Sequence, residues 1–257
     1  MSLRDRIATP DGKRRFVRAI FATIADRYDF ITVLLSYGQD RRWKRRLVNL
    51  AAPRSGSRAL DLATGTGDIA FALAERGARV VGLDITFRMI ELARGRVARE
   101  SDVARGFQPR VRRPERAAPQ ETPWFLVGDM VALPFPAGSF DIVTTGYGLR
   151  NVPSLEMAIE EIGRVLTPGG QLLSLDFNRP SNRIVRSAYL AYLTVVGATL
   201  GWVLHRDPDT YRYIPASIRQ YPGADAVSRL FESRGFSGVR WYPVLGGLMT
   251  IHHATRT

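Results

Sequence analysis

The chain has 257 residues, of which 45% are hydrophobic, and a formal net charge of +13 that comes mainly from arginine. This length and composition allow one large α/β domain and exclude a wholly disordered chain. Cysteine is absent, which excludes disulfides, thiolate nucleophiles and cysteine-based zinc or iron–sulfur sites and suits a cytosolic protein.

The N-terminal part is predicted to be helical. Residues 1–13 lack the apolar run of a secretory signal, so we expect none there. Over residues 14–50 the apolar positions are spaced as on a helix, with a break at Ser36-Tyr37-Gly38.

Strands and helices alternate through the rest of the chain. Pro168-Gly169-Gly170 is expected to stop the helix that precedes it. The alternation predicts an open, mostly parallel sheet with helices on both faces. We predict strands at 57–62, 79–84, 125–127, 140–145, 171–177, 238–244 and 249–254, and helices at 68–76, 87–99, 154–166 and 224–233.

Two segments interrupt this pattern. Residues 101–123 are rich in Arg and Pro and are predicted to form a loop or an insertion. Residues 188–204 carry no charge and place Gly197 and Gly201 four apart, as in a close-packing membrane helix. This segment is short for a membrane span, so we favour a buried or interfacial helix.

A glycine-rich turn follows the first predicted strand. Residues 61–68 read Asp-Leu-Ala-Thr-Gly-Thr-Gly-Asp and lead directly into a helix, and Gly65 and Gly67 let a ligand approach the backbone closely. A Walker phosphate loop is excluded because no Gly-Lys-Ser/Thr follows. The turn alone would suit a dinucleotide equally well.

Acids at three strand ends narrow the choice of ligand. Asp61, Asp84 and Asp129 each follow a predicted strand, although a single acid in such a place is usually a turn former or a helix cap. Asp84 can accept ribose hydroxyls, and Asp129 can accept an adenine amino group. Asp61 would repel a pyrophosphate but suits the amino group and sulfonium of a methionine moiety. The set predicts S-adenosylmethionine.

Further motifs resemble those of the ubiquinone and menaquinone biosynthesis C-methyltransferases. The Gly-Leu-Arg-Asn run at 148–151 and the Tyr-Arg-Tyr and Ser-Ile-Arg motifs at 211–213 and 217–219 are the most specific of them. The others are Tyr28-Asp29, Leu35-Ser36-Tyr37-Gly38, Arg42-Trp43, the turn at 61–68, residues 132–136 and 139–141, the Pro-Gly-Gly block at 164–170, which many methyltransferases share, and His252.

The resemblance implies a fold, a cofactor and a reaction. The fold is a single Rossmann-like α/β domain over 1–257, a seven-stranded class I methyltransferase with N-terminal helices and a helical lid at 179–222. The cofactor is S-adenosylmethionine, with S-adenosylhomocysteine as product. The reaction is methylation of a ring carbon of a polyprenylated quinol, either demethylmenaquinol or the 2-methoxy-6-polyprenyl-benzoquinol of ubiquinone synthesis, and this choice stays open.

Several cofactor contacts carry over from the family motifs. They fall on Thr66, Asp84, Asp129 and Met130, beside the turn residues Asp61, Gly65 and Gly67. A further family position, a Ser just before Phe-Gly-Leu-Arg-Asn, is Gly146 in this chain, where only the backbone can contact the cofactor. No metal site is expected.

Methylation of carbon requires an electron-rich ring. A phenol has a pKa near ~10, and a buried cation beside its oxygen lowers that pKa by favouring the phenolate. Arg150 is the candidate cation, and Asn151 the candidate group to orient the hydroxyl or a water. Because Arg stays protonated, the proton must leave through water, Tyr28 or His252.

Each of these residues also has a structural interpretation. Arg150 can serve as a clamp for the loop after the fourth strand, and His252 can be a packed residue of the last strand. Tyr211, Tyr213 and Arg219 either line the substrate entrance or pack a lid.

The basic charge favours contact with something anionic. We expect a cytoplasmic protein in peripheral contact with the anionic inner face of the membrane, with residues 188–204 covering the ring pocket. The rivals are an RNA methyltransferase, disfavoured because no RNA-binding motif is present, a non-catalytic scaffold, and a methyltransferase acting on another phenol or isoprenoid. The oligomeric state is left open, a homodimer included.

Overall fold

A computed structural model describes residues 3–106, 121–180, 182–206 and 209–257. The strands are β1 (Arg58–Leu62), β2 (Arg79–Asp84), β3 (Trp124–Val127), β4 (Phe140–Gly146), β5 (Leu166–Phe177), β6 (Phe236–Val244) and β7 (Met249–Arg256). The helices are α1 (Leu3–Arg6), α2 (Pro10–Ile24), α3 (Tyr28–Leu35), α4 (Asp40–Ala51), α5 (Asp68–Ala74), α6 (Phe87–Gly106), α7 (Leu155–Val165), α8 (Arg183–His205), α9 (Asp209–Gln220) and α10 (Ala224–Ser233).

The seven strands form one sheet in the order β3-β2-β1-β4-β5-β7-β6. Strands β1 to β5 run parallel, and β7 pairs antiparallel with both β5 and β6. The chain builds outward from β1 to β3 and then returns to place β4 on the other side of β1. Ligands bind open α/β sheets at such a reversal, beyond the carboxyl ends of the strands. The predicted α/β fold and its mostly parallel sheet are confirmed.

Helices pack on both faces of the sheet through apolar residues. On one face, α4, α5 and α6 pack on the sheet through residues such as Leu47, Leu73 and Ile90. On the other face, α7 and α10 pack through residues such as Ile159 and Phe231. Because β1 lies in the middle of the sheet, its residues after Arg58 are buried, which fixes the position of the turn that follows it.

Two predicted boundaries were wrong. Pro168-Gly169-Gly170 does not stop a helix, because α7 already ends at Val165 and Leu166 starts β5 in an extended conformation. The Pro-Gly-Gly run instead lies in an irregularity of β5, between Leu166 opposite Phe140 and Gln171 opposite Ile142, with Gly169 at φ 76°.

The second wrong boundary is the end of α6. This helix continues to Gly106, so the first part of the predicted 101–123 loop is helical. Arg and Glu are good helix formers, which explains why an Arg-rich stretch extends a helix. Residues 107–120 of the predicted insertion lie outside the described part of the chain.

The uncharged 188–204 segment belongs to α8. In the described part of the chain, α8 is long and apolar enough to cross a membrane by length and composition alone, and 22% of its apolar window is buried. The side chains of Leu193, Gly197 and Gly201 are buried, whereas that of Trp202 is 67% exposed. A buried helix is therefore excluded, and the interfacial alternative remains a prediction.

A group of helices covers the carboxyl end of the parallel strands. Phe16 of α2 packs on Tyr213 of α9, with ring centroids 5.4 Å apart. Ile31 of α3 and Tyr211 of α9 belong to a second small core together with partly buried residues of α8, such as Leu200. The N-terminal helices and the α8–α9 pair thus form one cap above the sheet.

Candidate active site

Two adjoining cavities lie between this cap and the sheet. The first, which we call the loop cavity, has a volume of about 670 Å³, part of it open to solvent, and is bordered by the segments that follow β1, β2, β3 and β4 and by α2. The second, the apolar cavity, has a volume of about 740 Å³, part of it also open to solvent, and is bordered by α2, α3, α8, α9, the end of β5 and the start of β7. Phe21, Tyr28 and Tyr147 border both cavities, so the two spaces are neighbours.

The glycine-rich turn after β1 bends sharply at the floor of the loop cavity. Ala63, Gly65 and Gly67 all have positive φ, and Gly67 begins α5 with φ 92°. A Cβ on Gly67 would lie 2.8 Å from the ring of Phe125, so this position accepts only glycine. Gly65 borders the cavity, whereas Gly67 makes the turn possible.

Asp84 borders the loop cavity at the end of β2. Its two carboxylate oxygens accept hydrogen bonds from the backbone N–H groups of Gly65 (3.0 Å) and Thr86 (2.8 Å). Burial raises the pKa of Asp84, and the two N–H donors act against that rise by favouring the carboxylate. The side chain therefore fixes the turn and offers its remaining lone pairs to the cavity.

Asp61 and Thr66 lie behind the turn rather than on the described border of the cavity. Asp61 is fully buried, and its oxygens accept hydrogen bonds from the hydroxyls of Thr64 (2.6 Å) and Thr144 (2.8 Å). Burial raises the pKa of Asp61 to about 6, and the two hydroxyls oppose this rise. The hydroxyl of Thr66 donates to Asp29 of α3 (2.7 Å).

Asp129, Met130 and Gly146 border the far side of the loop cavity, as the sequence predicts. One oxygen of Asp129 accepts a hydrogen bond from the backbone N–H of Val131 (3.1 Å), and the other lies 2.9 Å from Nε of Arg14. The predicted adenine acceptor is thus paired with a cation from α2.

Arg150 brings a positive charge to the apolar cavity. The described residues around this cavity are mostly aliphatic and aromatic, and Arg150 is the charged one among them. The guanidinium is a cation, so this cavity favours an apolar ligand that carries or develops a negative charge.

Arg150 is held from several directions. Its Nε lies 3.2 Å from Oδ1 of Asp176, and the other oxygen of Asp176 accepts the backbone N–H of Arg150 (3.1 Å). One terminal nitrogen donates to Asn151 (2.9 Å) and to Ser217 (3.0 Å), and the guanidinium lies 4.9 Å from the ring centroid of Phe177. The same side chain therefore makes clamp-like contacts and borders the apolar cavity.

Asn151 and the two shared tyrosines join the cavities. The amide of Asn151 donates to the carbonyl oxygen of Tyr147 (2.8 Å), and Asn151 borders the loop cavity. The hydroxyl of Tyr147 donates to Asp40 (2.5 Å), and its backbone has φ 61°, which is uncommon for a residue with a Cβ. Tyr28 is half-buried and borders both cavities, and desolvation raises its pKa.

The structure separates the remaining predicted residues. Tyr211 and Tyr213 are buried and border the apolar cavity. Arg219 is exposed and outside the described borders of both cavities. His252 also lies outside those borders: it is buried, its Nε2 is 3.0 Å from the carbonyl oxygen of Ala224, and its ring packs edge-on against Phe231.

Three residues that shape the site were not predicted from the sequence. Asp176 lies at the end of β5, so the strand-end pattern that identified Asp84 could have found it. Tyr147 lies beside the Gly-Leu-Arg-Asn run but has no chemical signature of its own. Arg14 belongs to a basic cluster that resembles ordinary solvated surface.

Comparison with known proteins agrees with this geometry. A family model described as the ubiE/COQ5 methyltransferase family matches residues 9–256. The demethylmenaquinone methyltransferase of Thermus thermophilus is 40% identical over 239 residues, which cover 92% of this chain and 100% of the relative. The ubiquinone/menaquinone biosynthesis C-methyltransferase UbiE of Dinoroseobacter shibae is 36% identical and covers 94% of this chain and 91% of its own.

Solved structures confirm the predicted class I methyltransferase fold. A SAM-dependent methyltransferase from Thermotoga maritima, described as a possible histamine N-methyltransferase, matches with a TM-score of 0.63 at 18% identity, over 94% of this chain and 100% of its own. One from Aquifex aeolicus matches with a TM-score of 0.56 at 15% identity, over 83% and 89%. Sequence and fold agree, and the chain is an enzyme that belongs to the ubiE/COQ5 methyltransferase family.

Proposed function

We propose that the protein transfers a methyl group from S-adenosylmethionine to a ring carbon of a polyprenylated quinol and releases S-adenosylhomocysteine. The observation that carries this proposal is the pair of adjoining cavities, one floored by a glycine turn with a strand-end acid and the other apolar with a buried cation. The two cavities share Phe21, Tyr28 and Tyr147, so a ligand in one cavity would lie next to a ligand in the other.

The residues of the loop cavity fit the cofactor. Asp84 has free lone pairs for ribose hydroxyls, Asp129 for an adenine amino group, and Met130 offers an apolar contact. Gly65 and Gly146 let the ligand approach the backbone, while Asp61, Thr66 and Gly67 hold the turn in place. The bound cofactor supplies a methyl group on a positively charged sulfur.

The residues of the apolar cavity fit a quinol ring that loses a proton. Arg150 favours the phenolate, which places negative charge on the adjacent ring carbon. Asn151, fixed to Tyr147, orients the hydroxyl or a water, and Tyr211 and Tyr213 pack against the ring or its tail. Because burial raises the pKa of Tyr28, this residue keeps its own proton, and water receives the proton of the quinol. His252 and Arg219 take no part in this assignment.

Demethylmenaquinol is the acceptor that we favour. The Thermus thermophilus relative named for this substrate is 40% identical, whereas the relatives named for both quinones are 33–36% identical. Offering the purified protein both demethylated quinols in one reaction tests this preference, and faster methylation of the benzoquinol would overturn it.

We also propose that α3 and α8 form a surface for an anionic bilayer, so that the protein is cytoplasmic and peripheral. The guanidinium of Arg27 donates to the carbonyl oxygen of Leu204 (2.5 Å), and Tyr37 stacks on Tyr192 with centroids 6.0 Å apart. The two helices therefore lie side by side in opposite directions. Their outer faces expose apolar side chains, among them Phe30 (60% exposed) and Trp202.

Charge and position support a lipid partner for this surface. The apolar cavity lies beneath it, bordered by Ile31 of α3 and Tyr189 of α8. Arginines at 41–46 and the net charge of +13 suit anionic head groups. A prenyl tail could pass from the bilayer into the cavity between the two helices.

Vesicle co-sedimentation tests the bilayer proposal. We expect binding to vesicles containing phosphatidylglycerol, with weaker binding to phosphatidylcholine alone. The Phe30→Ser/Trp202→Ser variant should bind less than wild type, because it removes two exposed apolar contacts. The control is Trp124→Ser, which removes a Trp that is 78% exposed and lies outside this surface, at the start of the edge strand β3. Equal loss in both variants would refute this surface.

Methyl transfer from labelled S-adenosylmethionine tests the reaction itself. With demethylmenaquinol as acceptor, label should enter the organic phase in wild type and fall strongly in Arg150→Lys, which keeps the charge but loses the fork that Asp176, Asn151 and Ser217 hold. Label recovered in added RNA, or none in any acceptor, would support the RNA methyltransferase or the scaffold instead.

A further inference from the structure

Lys13 of α2 lies against the main chain of Arg150. Its Nζ donates a hydrogen bond to the carbonyl oxygen of Arg150 at 3.1 Å, across 137 positions of sequence. The next residue on the helix, Arg14, points to Asp129 of the loop cavity. The first turns of α2 thus meet both halves of the site, and Lys13 meets the half that holds the proposed catalytic cation.

Among the residues that the structure describes, the charges around Lys13 do not balance. Lys13 and Arg150 are two cations, and Asp176 is the carboxylate that faces both of them. Burial and the neighbouring Arg150 lower the pKa of Lys13, against the opposing effect of Asp176. A partly buried cluster with one excess positive charge is costly unless an anion completes it.

The other titratable groups that face Arg150 do not supply that anion. They are tyrosines from α3, α8, α9 and the following turn, and burial raises the pKa of each, so all remain neutral near pH 7: Tyr28, Tyr189, Tyr213 and Tyr221. Lys44 and Asp40 lie beyond Tyr28 and are paired with each other at 2.6 Å. The missing negative charge can therefore come from the ligand of the apolar cavity.

We propose that Lys13 is a positioning residue for carbon methylation: it fixes the Arg150 turn and adds a second positive charge that favours the phenolate form of the acceptor. This inference rests on the proposed quinol methylation. In that reaction the ring hydroxyl gives its proton to water, and a carbon–carbon bond forms as the carbon–sulfur bond breaks with its electron pair on sulfur. The ring carbon then loses its hydrogen as a proton while the oxygen regains one, so one proton is released overall.

The pH dependence of kcat distinguishes this electrostatic role from a purely structural one, in which Lys13 only ties α2 to the main chain of Arg150. In wild type, the acid limb of kcat reports the ionisation of the bound acceptor. Lys13→Gln keeps a hydrogen-bond donor toward Arg150 but removes the charge. We expect its acid limb to move up by about 1 pH unit, with a roughly 10-fold lower kcat on that limb. Lys13→Arg should restore the wild-type profile, because it restores the charge.

The control is Arg18→Gln, which removes an exposed charge from the same helix, five residues beyond Lys13. It should leave the limb in place. If the acid limb of Lys13→Gln coincides with that of wild type, Lys13 only tethers α2 and the inference is wrong. The same conclusion follows if the acid limb of Lys13→Arg differs from that of wild type. Thermal unfolding of each variant shows whether it is folded. If Lys13→Gln is unfolded, the comparison of the acid limb of kcat between Lys13→Arg and wild type decides. Absence of quinol methylation by wild type would instead refute the proposed function.

Discussion

Asp84 is the residue on which the cofactor assignment depends most. It borders the loop cavity and at the same time accepts the backbone N–H groups of Gly65 and Thr86. Asp84→Asn replaces one acceptor oxygen by a donor, so a ligand hydroxyl or a backbone N–H loses its partner. We expect the Kd for S-adenosylmethionine to rise about 10- to 100-fold, corresponding to about 1.5–3 kcal/mol for a hydrogen bond to a charged group.

Isothermal titration calorimetry measures this change. Asp141→Asn is the matched control, because Asp141 is another acid of the sheet but pairs with Arg58 at the surface. Its Kd should equal that of wild type. An unchanged Kd in Asp84→Asn would remove Asp84 from the cofactor site.

The burial of Asp61 should make the folded protein less stable as the pH rises from 4 to 7. Its pKa is raised from 3.8 to about 6 by burial, so the folded state binds the proton more tightly than the unfolded state does. The resulting stabilisation is complete below about pH 4 and is lost as the pH rises through 6. Asp61→Asn has no such loss, so its stability relative to wild type should improve between pH 4 and 7, by at most about 3 kcal/mol.

Chemical denaturation at several pH values tests this sign. In Asp141→Asn the difference should change little over this range, because Arg58 lowers the pKa of Asp141 and its stabilisation is already present above about pH 4. If the stabilities of Asp61→Asn and wild type change in parallel from pH 4 to 7, Asp61 does not have the raised pKa that its burial indicates.

At the residue scale, the acids that recur at the ends of strands could be predicted from the sequence. The strand-end acids at Asp84 and Asp129 border the cavity as expected. Asp61 shows the limit of the pattern, since whether an acid faces a ligand or two threonine hydroxyls depends on Thr144, which is far away in sequence. The same limit applies to His252, which belongs to the family pattern but packs against α10.

At the scale of elements, the close approach of α8 to α9 depends on Gly197. A Cβ at this position would lie 3.2 Å from Cβ of Tyr211 and 3.3 Å from its carbonyl oxygen. In Gly197→Ala the gain in helix propensity, about 1 kcal/mol, is opposed by this contact, and Tyr211 borders the apolar cavity. We expect lower stability and a higher KM for the quinol.

Gly95→Ala in α6 is the control for helix propensity. A Cβ there meets open space, so this variant should be more stable than wild type by up to about 1 kcal/mol. Thermal unfolding of the two variants gives the comparison. If Gly197→Ala is stabilised as much as Gly95→Ala, the two helices can separate without cost and the cap is looser than its packing indicates.

Periodicity predicted most elements, and the failures have local causes. The bulge in β5 was missed because Pro-Gly-Gly is also the usual end of a helix. The exposure of α8 could not be predicted, because an uncharged, apolar segment has no polar face whose spacing would reveal which side is buried.

At the scale of the whole molecule, the sequence predicts the sheet better than the cap. The mostly parallel sheet follows from the alternation of strands and helices, although the alternation does not give the order of the strands. The two cavities instead require long-range contacts, such as Lys13 with Arg150 and Arg14 with Asp129, which join the N-terminal helices to the sheet. No local pattern encodes those pairs.

The central claim is that adjoining cavities direct a methyl group to a quinol carbon. The most direct measurement is the position of the new methyl in the product made from demethylmenaquinol and methyl-labelled S-adenosylmethionine, determined by NMR and fragment mass spectrometry. The label should be on the ring carbon, with both ring oxygens free of methyl. Label on an oxygen would contradict the account, because a phenolate held by Arg150 would then react at the atom that the cation is proposed to bind.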